Sequence, residues 1–544
     1  MRGRWRRLGG ERWELLAALL VFLILALADL LLPGMHNDEG LHGLAAGYVL
    51  APESAAGSRI VINQFLSFFG RLFPVMLESY DGAVLPYFLA PFLGLFGHSL
   101  FALRLAMVLL SAGTLVCIYE SVRSWFGRPT AGVAVLLIAT NLFFVDYSRI
   151  SLHRNEVAAL FFLWAGLWAL TRYGAAPRTR TLVLAAFPLG LGLSMKITFL
   201  WYLTALGGAG FLLRRRLGMK LARGRDLAWA AAAFSAGLLP LIVYNIDRGG
   251  WTLRLLWDSL LSPTRADKGG VDNARYWANL WTRCGQLGEI LAGKLPVRGE
   301  WGVSEPAALQ SLGPWIAVLT LGAAAFVLFR AVRGRLPAPE RARLLFLCAF
   351  YALVFLQTPF TVSNLDTEHL LVLLPLPQII LALGAVQLAD LGRGGRTLAG
   401  ALVLAAVVFH AGLQRDFDGQ MRANGGYRRW STSIQELADY LKKHKISSPV
   451  IFGFAARENV VFLTDDAVRP ALCRSGTEEE VREAWRAASS KGGAMHWIYT
   501  GAREEEPGYR GFQALARAAG RKVTLERLFL NREGHPVYWL FKVS

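Results

Sequence analysis

Cysteine is scarce in this sequence, which has only 4 cysteines among 544 residues. They are scattered along the chain and no two of them form a Cys-x-x-Cys pair, so cysteine spacing indicates neither a metal nor a redox motif. Cys117 and Cys348 lie inside apolar runs and are predicted to be small core residues. A bridge between Cys284 and Cys473 stays open as a hypothesis, since it requires both residues to face an oxidising side.

Acidic residues are also few, because 39 aspartates and glutamates stand against 58 lysines and arginines, a formal charge of +19. A chain this basic can bind nucleic acid, but here the arginines form short clusters between apolar runs and do not follow one polar helix or sheet. Such clusters are typical of cytoplasmic loops in membrane proteins. With 54% hydrophobic residues and a mean hydropathy of +0.38, the composition predicts a membrane protein with no nucleic-acid partner.

Long apolar runs predict a polytopic α-helical membrane protein, since each crossing needs a helix of about 20 apolar residues. The first run has a basic start and a poor cleavage site, so we interpret it as a retained helix with a cytoplasmic N-terminus. The sequence predicts about eleven transmembrane helices, at 14–33, 98–119, 130–147, 155–171, 181–195, 197–213, 227–245, 312–329, 344–360, 369–388 and 397–413.

The distribution of basic residues orients these spans, because cytoplasmic loops carry the excess of arginine and lysine. Run 181–213 has basic flanks on both sides and is interrupted only by Lys196, which predicts a hairpin of two short helices with Lys196 at its outer turn. Residues 80–97, YDGAVLPYFLAPFLGLFG, contain two prolines and three glycines and predict a helix lying at the membrane surface. The same parity predicts three external segments: 34–82, 246–311 and everything after about 414.

The last segment differs from the rest, because an amphipathic helix alternates there with short β-rich runs. These runs are PVIFGF, VVFL, MHWIYTG and a final stretch that predicts two strands joined at NREGHP, where Gly and Pro mark a turn. The sequence therefore predicts a transmembrane domain over 1–413. A small soluble α/β domain is predicted over 420–544, on the periplasmic side.

The acidic pair Asp38–Glu39 directly follows the first predicted span and lies between His36 and His42. A zinc protease would need His-Glu-x-x-His on one helix face, whereas these histidines are six residues apart with glycines nearby, which indicates a loop. Two interpretations stay open. The pair caps the start of a short helix, or Asp38, partly desolvated at the lipid boundary, is a general base that Glu39 orients.

Several further stretches give the sequence a family resemblance. In order, they are PYFLAPFLGLFG, LFFVDYSRISLHRNEVAALFF, the small-residue run LGLGLSMKITFL, and TEHLLVLLPLP at the entry to a late helix. Together with the number of spans and the acidic pair after the first, they resemble the GT-C membrane glycosyltransferases over about residues 14–410. The protein O-mannosyltransferases and the lipid A aminoarabinose transferases are the members that they resemble most.

The resemblance implies an enzyme of the bacterial inner membrane that moves a sugar from a polyprenyl-phosphate donor to a lipid, glycan or protein hydroxyl. A glycosidase needs a second carboxylic acid for its poor leaving group. A phosphate leaves without protonation, so Asp38 as base and cations on the phosphate suffice. The candidate phosphate ligands are Arg149, Arg154, Lys196 and His369.

The two arginines have an alternative role, whereas Lys196 is harder to explain by structure alone because it interrupts an apolar run. The two arginines also suit a snorkelling position at the interface, and Glu156 is expected either to pair with one of them or to stabilise the first turn of its helix. A divalent metal is an open question, because Asp366 and Glu368 flank His369, although carboxylates at a helix N-terminus explain them without metal.

Two rival functions stay open. A transporter or lipid flippase would favour charged groups at mid-membrane and two similar halves, whereas the distinctive charges of this sequence are predicted at the outer boundary. An inactive partner in envelope glycan assembly would keep the fold without the activity, and the intact Asp38 argues against it.

Overall fold

A computed structural model describes most of the chain, namely residues 12–53, 60–150, 152, 155–219, 222–261, 271–294, 301–361, 365–453, 456–474, 476–490, 494–500 and 507–544. The chain divides into two compact units. The first, the helical unit, comprises Met1–Ala28, Met107–Pro296 and Glu305–Arg415. The second, the mixed unit, comprises Asp29–Ala106, Val297–Ser304 and Asp416–Ser544.

The helical unit is built from apolar helices joined by short connections, as the long hydrophobic runs predict. Its elements are α1 (Trp13–Leu27), most of α4 (Leu100–Phe126), α5 (Arg128–Ala139), α6 (Leu142–Arg149), α7 (Glu156–Ala175), α8 (Thr179–Met195), α9 (Leu200–Leu213), α10 (Gly224–Gly237), α11 (Leu239–Asp247), α12 (Trp251–Leu261), α13 (Tyr276–Leu291), α14 (Ala307–Val332), α15 (Ala338–Gln357), α16 (Leu376–Ala389) and most of α17 (Arg393–Asn424).

Among the described residues, four helices are long and apolar enough to cross a membrane: α4, α7, α14 from Ser311 onward, and α17. Three more crossings result if each strongly bent pair is one span: α5 with α6, α10 with α11, and the 3₁₀ segment Thr367–Leu373 with α16. The pairs bend by 59°, 66° and 45° respectively. The multi-pass helical class is thereby confirmed, while the count of eleven stays a prediction.

The run 181–213 contains two short helices, as predicted, and Lys196 separates them. Lys196 follows the end of α8 and precedes the 3₁₀ segment Ile197–Phe199, which leads into α9. α8 packs mainly against α7 and α10, whereas α9 packs against α15. The two helices thus pack mainly on different partners.

In its described residues, the mixed unit combines six whole helices and the ends of α4 and α17 with two sheets. Its elements are α2 (Asn37–Leu50), β1 (Gln64–Phe68), β2 (Arg71–Glu78), β3 (Asp81–Gly82), α3 (Val84–Phe96), α18 (Ser433–Lys443), β4 (Val450–Phe452), α19 (Arg457–Leu463), β5 (Ala471–Cys473), α20 (Glu478–Ser489), β6 (Met495–Thr500), α21 (Pro507–Ala518), β7 (Val523–Leu530) and β8 (Pro536–Val543).

The C-terminal part of the mixed unit is a five-stranded sheet in the order β5-β4-β6-β8-β7, which confirms the predicted sheet domain. β4 pairs in parallel with β5 and β6, whereas β8 is antiparallel to β6 and β7. The final hairpin turns at the predicted NREGHP stretch. α20 and α21 pack against the sheet. The core between them is rich in aromatic residues, including Phe452, Trp497, Tyr499 and Phe512.

Two strand predictions need correction. The run VVFL forms the end of α19 and is not a strand, whereas β5 was not predicted at all. A run of four apolar residues has no period that distinguishes a strand from a buried helix. Asn459 to Phe462 are all buried, so this short helix presents no polar face that would have identified it.

The stretch between His36 and His42 is helical, so the loop predicted there is wrong. α2 packs against α3 and α19, and its glycines permit that close approach. A Cβ on Gly40 would lie 2.5 Å from the Asn459 side-chain oxygen, and one on Gly43 would lie 2.7 Å from the Phe462 ring. The glycines that suggested a loop are therefore packing positions in a helix.

All four cysteines are free in the structure, so the bridge left open by the sequence is not formed. Cys117 and Cys473 are buried, Cys348 is half-buried and Cys284 is exposed. The prediction that Cys117 is a small core residue is thereby confirmed, and Cys348 is only partly so.

Candidate active site

The acidic pair lies in the first turn of α2, which begins with a capping box. His36 takes the N-cap position, and its Nδ1 accepts a hydrogen bond from the Asp38 amide at 3.2 Å. The Glu39 carboxylate in turn accepts from the His36 amide at 2.9 Å. These bonds satisfy N–H groups that have no partner within the helix. The capping interpretation is thus confirmed for Glu39.

Glu39 is also half of a buried ion pair with Arg104 of α4. Both side chains have no exposed surface, and the guanidinium holds the carboxylate by two bonds of 2.7 and 2.8 Å. The same guanidinium donates to the backbone oxygens of Leu30 and Pro33 at 3.0 and 2.9 Å. Arg104 therefore ties the segment before α2 to the start of α4.

Asp38 has a different environment, because 36% of its side chain is exposed. It accepts a hydrogen bond from the Asn37 amide group at 2.7 Å and lies 3.5 Å from His36 Nδ1. Tyr80 lies within its electrostatic reach, and burial together with the carboxylate of Glu78 raises the pKa of Tyr80 above its ordinary value. Asp38 is therefore the exposed carboxylate of the pair, whereas Glu39 is buried.

Aromatic side chains surround the start of α2. The His36 ring lies 4.8 Å from the Trp430 ring and 6.3 Å from the Trp301 ring, centroid to centroid. Asn459 of α19 donates to the Met35 carbonyl oxygen at 2.8 Å, immediately before the N-cap residue. These contacts fix the backbone that carries Asp38.

In the helical unit, Glu156 brings two of the predicted phosphate ligands together. Its Oε1 accepts from Lys196 Nζ at 2.6 Å and lies 2.9 Å from His369 Nδ1. Glu156 is buried, while 16% of the Lys196 side chain remains exposed. Glu156 lies in the first turn of α7, which confirms that alternative, and both of these partners contact its Oε1. A pairing with Arg154 lies outside the described residues.

Arg149 is the last residue of α6. Its guanidinium forms an ion pair with Asp146 and donates to the Ala28 carbonyl oxygen at 2.8 Å. Both members of the pair are buried, and Gln414 of α17 donates to the same carboxylate at 2.8 Å. The snorkelling alternative is wrong for Arg149, and Arg154 lies outside the described residues.

The segment that leads to His369 is held by Arg283 of α13. This buried arginine donates to the backbone oxygens of Thr358 and Asp366 at 3.2 and 2.7 Å. Gln286 adds a bond to the Leu365 carbonyl oxygen at 2.6 Å. Burial lowers the pKa of Arg283 to about 10, so the guanidinium stays charged at neutral pH. α13 thereby positions the 3₁₀ segment that carries His369.

Sequence reasoning missed Arg104 and Asp146. Each carries a charge inside a run that the sequence identifies as apolar, and such an ionisable residue within a predicted span is a functional or structural signal by itself. The sequence singles out Glu39 as part of the acidic pair, but no local pattern identifies it as the partner of Arg104, or Gln414 as the partner of Asp146. Among the described residues, no group of three or more histidines, cysteines or acidic residues is placed to hold a metal ion.

Comparison with known proteins identifies relatives of this fold. Residues 81–244 match the family of dolichyl-phosphate-mannose-protein mannosyltransferases. ArnT from Cupriavidus metallidurans, solved with undecaprenyl phosphate, is similar with a TM-score of 0.58 and 12% identity over 97% of each chain. No curated protein sequence matches the chain.

An archaeal oligosaccharyltransferase has a similar fold as well. AglB from Archaeoglobus fulgidus, solved with an inhibitory peptide and a dolichol-phosphate, gives a TM-score of 0.50 and 12% identity, over 90% of this chain and 69% of that one. An Archaeoglobus fulgidus oligosaccharyltransferase solved with zinc and sulfate gives a TM-score of 0.53 and 12% identity, over 90% of this chain and 68% of that one. The family match and these folds confirm the resemblance to the GT-C membrane glycosyltransferases.

Proposed function

We propose that this chain is a glycosyltransferase that moves a sugar from a polyprenyl-phosphate donor to an acceptor hydroxyl, with Asp38 as the general base. The acceptor is a lipid, a glycan or a protein, and the reaction takes place at the outer face of the bacterial inner membrane. The fold supports the class, since two of the similar structures were solved with a polyprenyl phosphate.

The observation that carries the proposal is the unequal use of the two carboxylates. The charge of Glu39 is neutralised by Arg104 in a site without exposed surface, so Glu39 does not reach an acceptor. Asp38, one residue earlier on the same rigid turn, keeps an accessible carboxylate. A general base must come within hydrogen-bond reach of the proton that it removes, and the exposure of Asp38 supports its assignment to that role over Glu39.

We assign phosphate binding to Lys196 and His369, and not to Arg149. Lys196 has three donors and gives one to Glu156, and part of its side chain remains exposed. Glu156 then acts as a positioning residue that orients both side chains. Arg149 is buried against Asp146 and the Ala28 carbonyl oxygen, which leaves it a structural role.

The function is tested with the full chain in lipid nanodiscs and a panel of radiolabelled sugars, each supplied on a polyprenyl phosphate and on a nucleotide. We expect transfer only from the lipid-linked donors. Labelling from the nucleotide-linked sugars alone contradicts the proposal. Movement of intact donor across vesicle membranes without any transfer supports a flippase instead.

The phosphate site is tested in the same assay by Lys196→Met. The control variant is Lys442→Met in α18, which also removes one positive charge but lies outside the proposed site. A charge-assisted hydrogen bond contributes about 1.5–3 kcal/mol, so KM for the donor is expected to rise by roughly 10- to 100-fold in Lys196→Met. The control variant is expected to match the wild type. Equal KM values in both variants contradict the assignment of Lys196.

A further inference from the structure

The turn of the β1–β2 hairpin exposes two phenylalanines. Phe68 pairs with Arg71 in register, so Phe69 and Gly70 form a two-residue turn in which both residues have positive φ, +47° and +73°. Hairpin turns of this kind normally place Asn, Asp or Gly at the first position, because they tolerate this backbone. Here that position holds a phenylalanine that is 91% exposed.

The apolar surface extends beyond the turn. The Phe68 and Phe69 rings contact each other with centroids 4.3 Å apart, and Leu72 and Phe73 on the next strand are also exposed. We call these four residues the hairpin tip. Over residues 64–77 the chain has no acidic residue and a single charge, Arg71. The tip therefore combines aromatic and aliphatic side chains with one cation, as is common at membrane–water interfaces.

α3 continues this surface and is joined to the hairpin. The Tyr87 hydroxyl donates to the Pro74 carbonyl oxygen of β2 at 2.8 Å, which fixes the helix to the strand. α3 also exposes Leu95 and Phe96, and residues 82–97 contain no charged side chain. An exposed helix face without any charge does not suit water as its only neighbour.

The position of α3 in the chain identifies what covers this surface. Only three residues separate the end of α3 at Phe96 from the start of α4 at Leu100, so the two ends lie within about 15 Å of each other. α4 has 27 residues and is apolar enough to cross a membrane. The end of α3 therefore lies close to the level at which α4 enters the bilayer.

We propose that the hairpin tip and the exposed face of α3 insert together into the interfacial region of the lipid bilayer. α2 packs against α3, so this contact also fixes the depth of Asp38 relative to the membrane surface. The occupant is lipid, not a partner protein, because the surface adjoins the start of a membrane-crossing helix and carries no acidic group.

The test uses the full chain in nanodiscs made of phosphatidylcholine, with an environment-sensitive fluorophore on a single introduced cysteine. Cys284→Ser and Cys348→Ser remove the accessible native thiols. Phe69→Cys places the probe at the hairpin tip, and Ser448→Cys places it on an exposed polar turn of the same unit. A parallel set of nanodiscs contains lipids that carry a nitroxide quencher on the acyl chain.

We expect blue-shifted emission and strong quenching by the nitroxide lipids at position 69, and neither effect at position 448. Leu95→Cys on α3 is expected to behave like Phe69→Cys and gives an independent measure if the hairpin variant labels poorly. A blue shift at both sites without quenching means burial against protein and overturns the proposal. Equal quenching at positions 69 and 448 overturns it as well, since the contact is then not specific to this surface. Donor transfer is not needed for this readout, so the result is independent of the proposed function.

Discussion

Replacing Glu39 by Gln is expected to destabilise the protein, although Glu39 is next to the proposed catalytic base. The substitution keeps the size of the side chain and removes its charge, so the Arg104 guanidinium is left buried without a counterion. Breaking one side of a buried ion pair costs about 3–5 kcal/mol. The Gln side chain keeps part of the hydrogen bonding to Arg104 and to the His36 amide, which places Glu39→Gln at the lower end of that range.

Arg104→Met is expected to cost more, since it also removes the donors to the Leu30 and Pro33 carbonyl oxygens. Asp38→Asn is the matched control for charge on the same helical turn. The Asp38 side chain is 36% exposed, and ion pairs of exposed side chains contribute little to stability. The expected loss in the free energy of unfolding is therefore below about 1 kcal/mol. The structure thus predicts an order of stability: wild type, Asp38→Asn, Glu39→Gln, Arg104→Met.

The order is measured by thermal unfolding of the detergent-solubilised full chain, with all four proteins at the same concentration and in the same detergent. A Glu39→Gln variant that melts together with the wild type refutes the argument that the buried pair stabilises this turn. The double variant Glu39→Leu/Arg104→Met is informative too, because removal of both charges is expected to recover part of the loss.

Three further predictions follow from local geometry. Phe69→Gly is expected to raise the melting temperature slightly, because a left-handed backbone costs a bulky residue about 1–2 kcal/mol and the exposed ring packs on little protein. Gly40→Ala is expected to lower the melting temperature, since the new Cβ would lie 2.5 Å from Asn459 Oδ1 and overpacking costs about 1–3 kcal/mol. An unchanged melting temperature would contradict the close packing of α2 on α19. Glu156→Gln is expected to weaken donor use in the transfer assay, because Lys196 loses the carboxylate that orients it; an unchanged KM would contradict that role.

The sequence predicted those parts of the fold that depend on local pattern. Apolar runs identified the helical segments, and the alternating final stretch with NREGHP identified the β7–β8 hairpin, because period and turn chemistry are both local. The start of α2 was predicted in two ways, as a loop because of its glycines and as the start of a short helix, and the structure confirms the helix. Its glycines are explained only by the side chains of α19 that approach them, from more than 400 residues further along the chain.

The site was predicted in part for the same reason. Lys196 was found as the single charge between two apolar helices, and the acidic pair as the charge after the first helix. The division of roles within that pair depends on Arg104, which lies 65 residues away, and local pattern does not reveal such a partner. The pairing of Glu156 with Lys196 and His369 likewise depends on tertiary packing.

The central claim is that Asp38 removes the proton from the acceptor, and its most direct test is the rate of sugar transfer by Asp38→Asn. The assay uses saturating polyprenyl-phosphate donor, with Asp439→Asn on the exposed face of α18 as the control for loss of one carboxylate. We predict that kcat of Asp38→Asn falls at least about 100-fold, equal to about 2.7 kcal/mol of barrier, while the control keeps the wild-type rate. A kcat for Asp38→Asn equal to that of the wild type, in protein with unchanged melting, would contradict the claim and leave Asp38 as part of the helix cap.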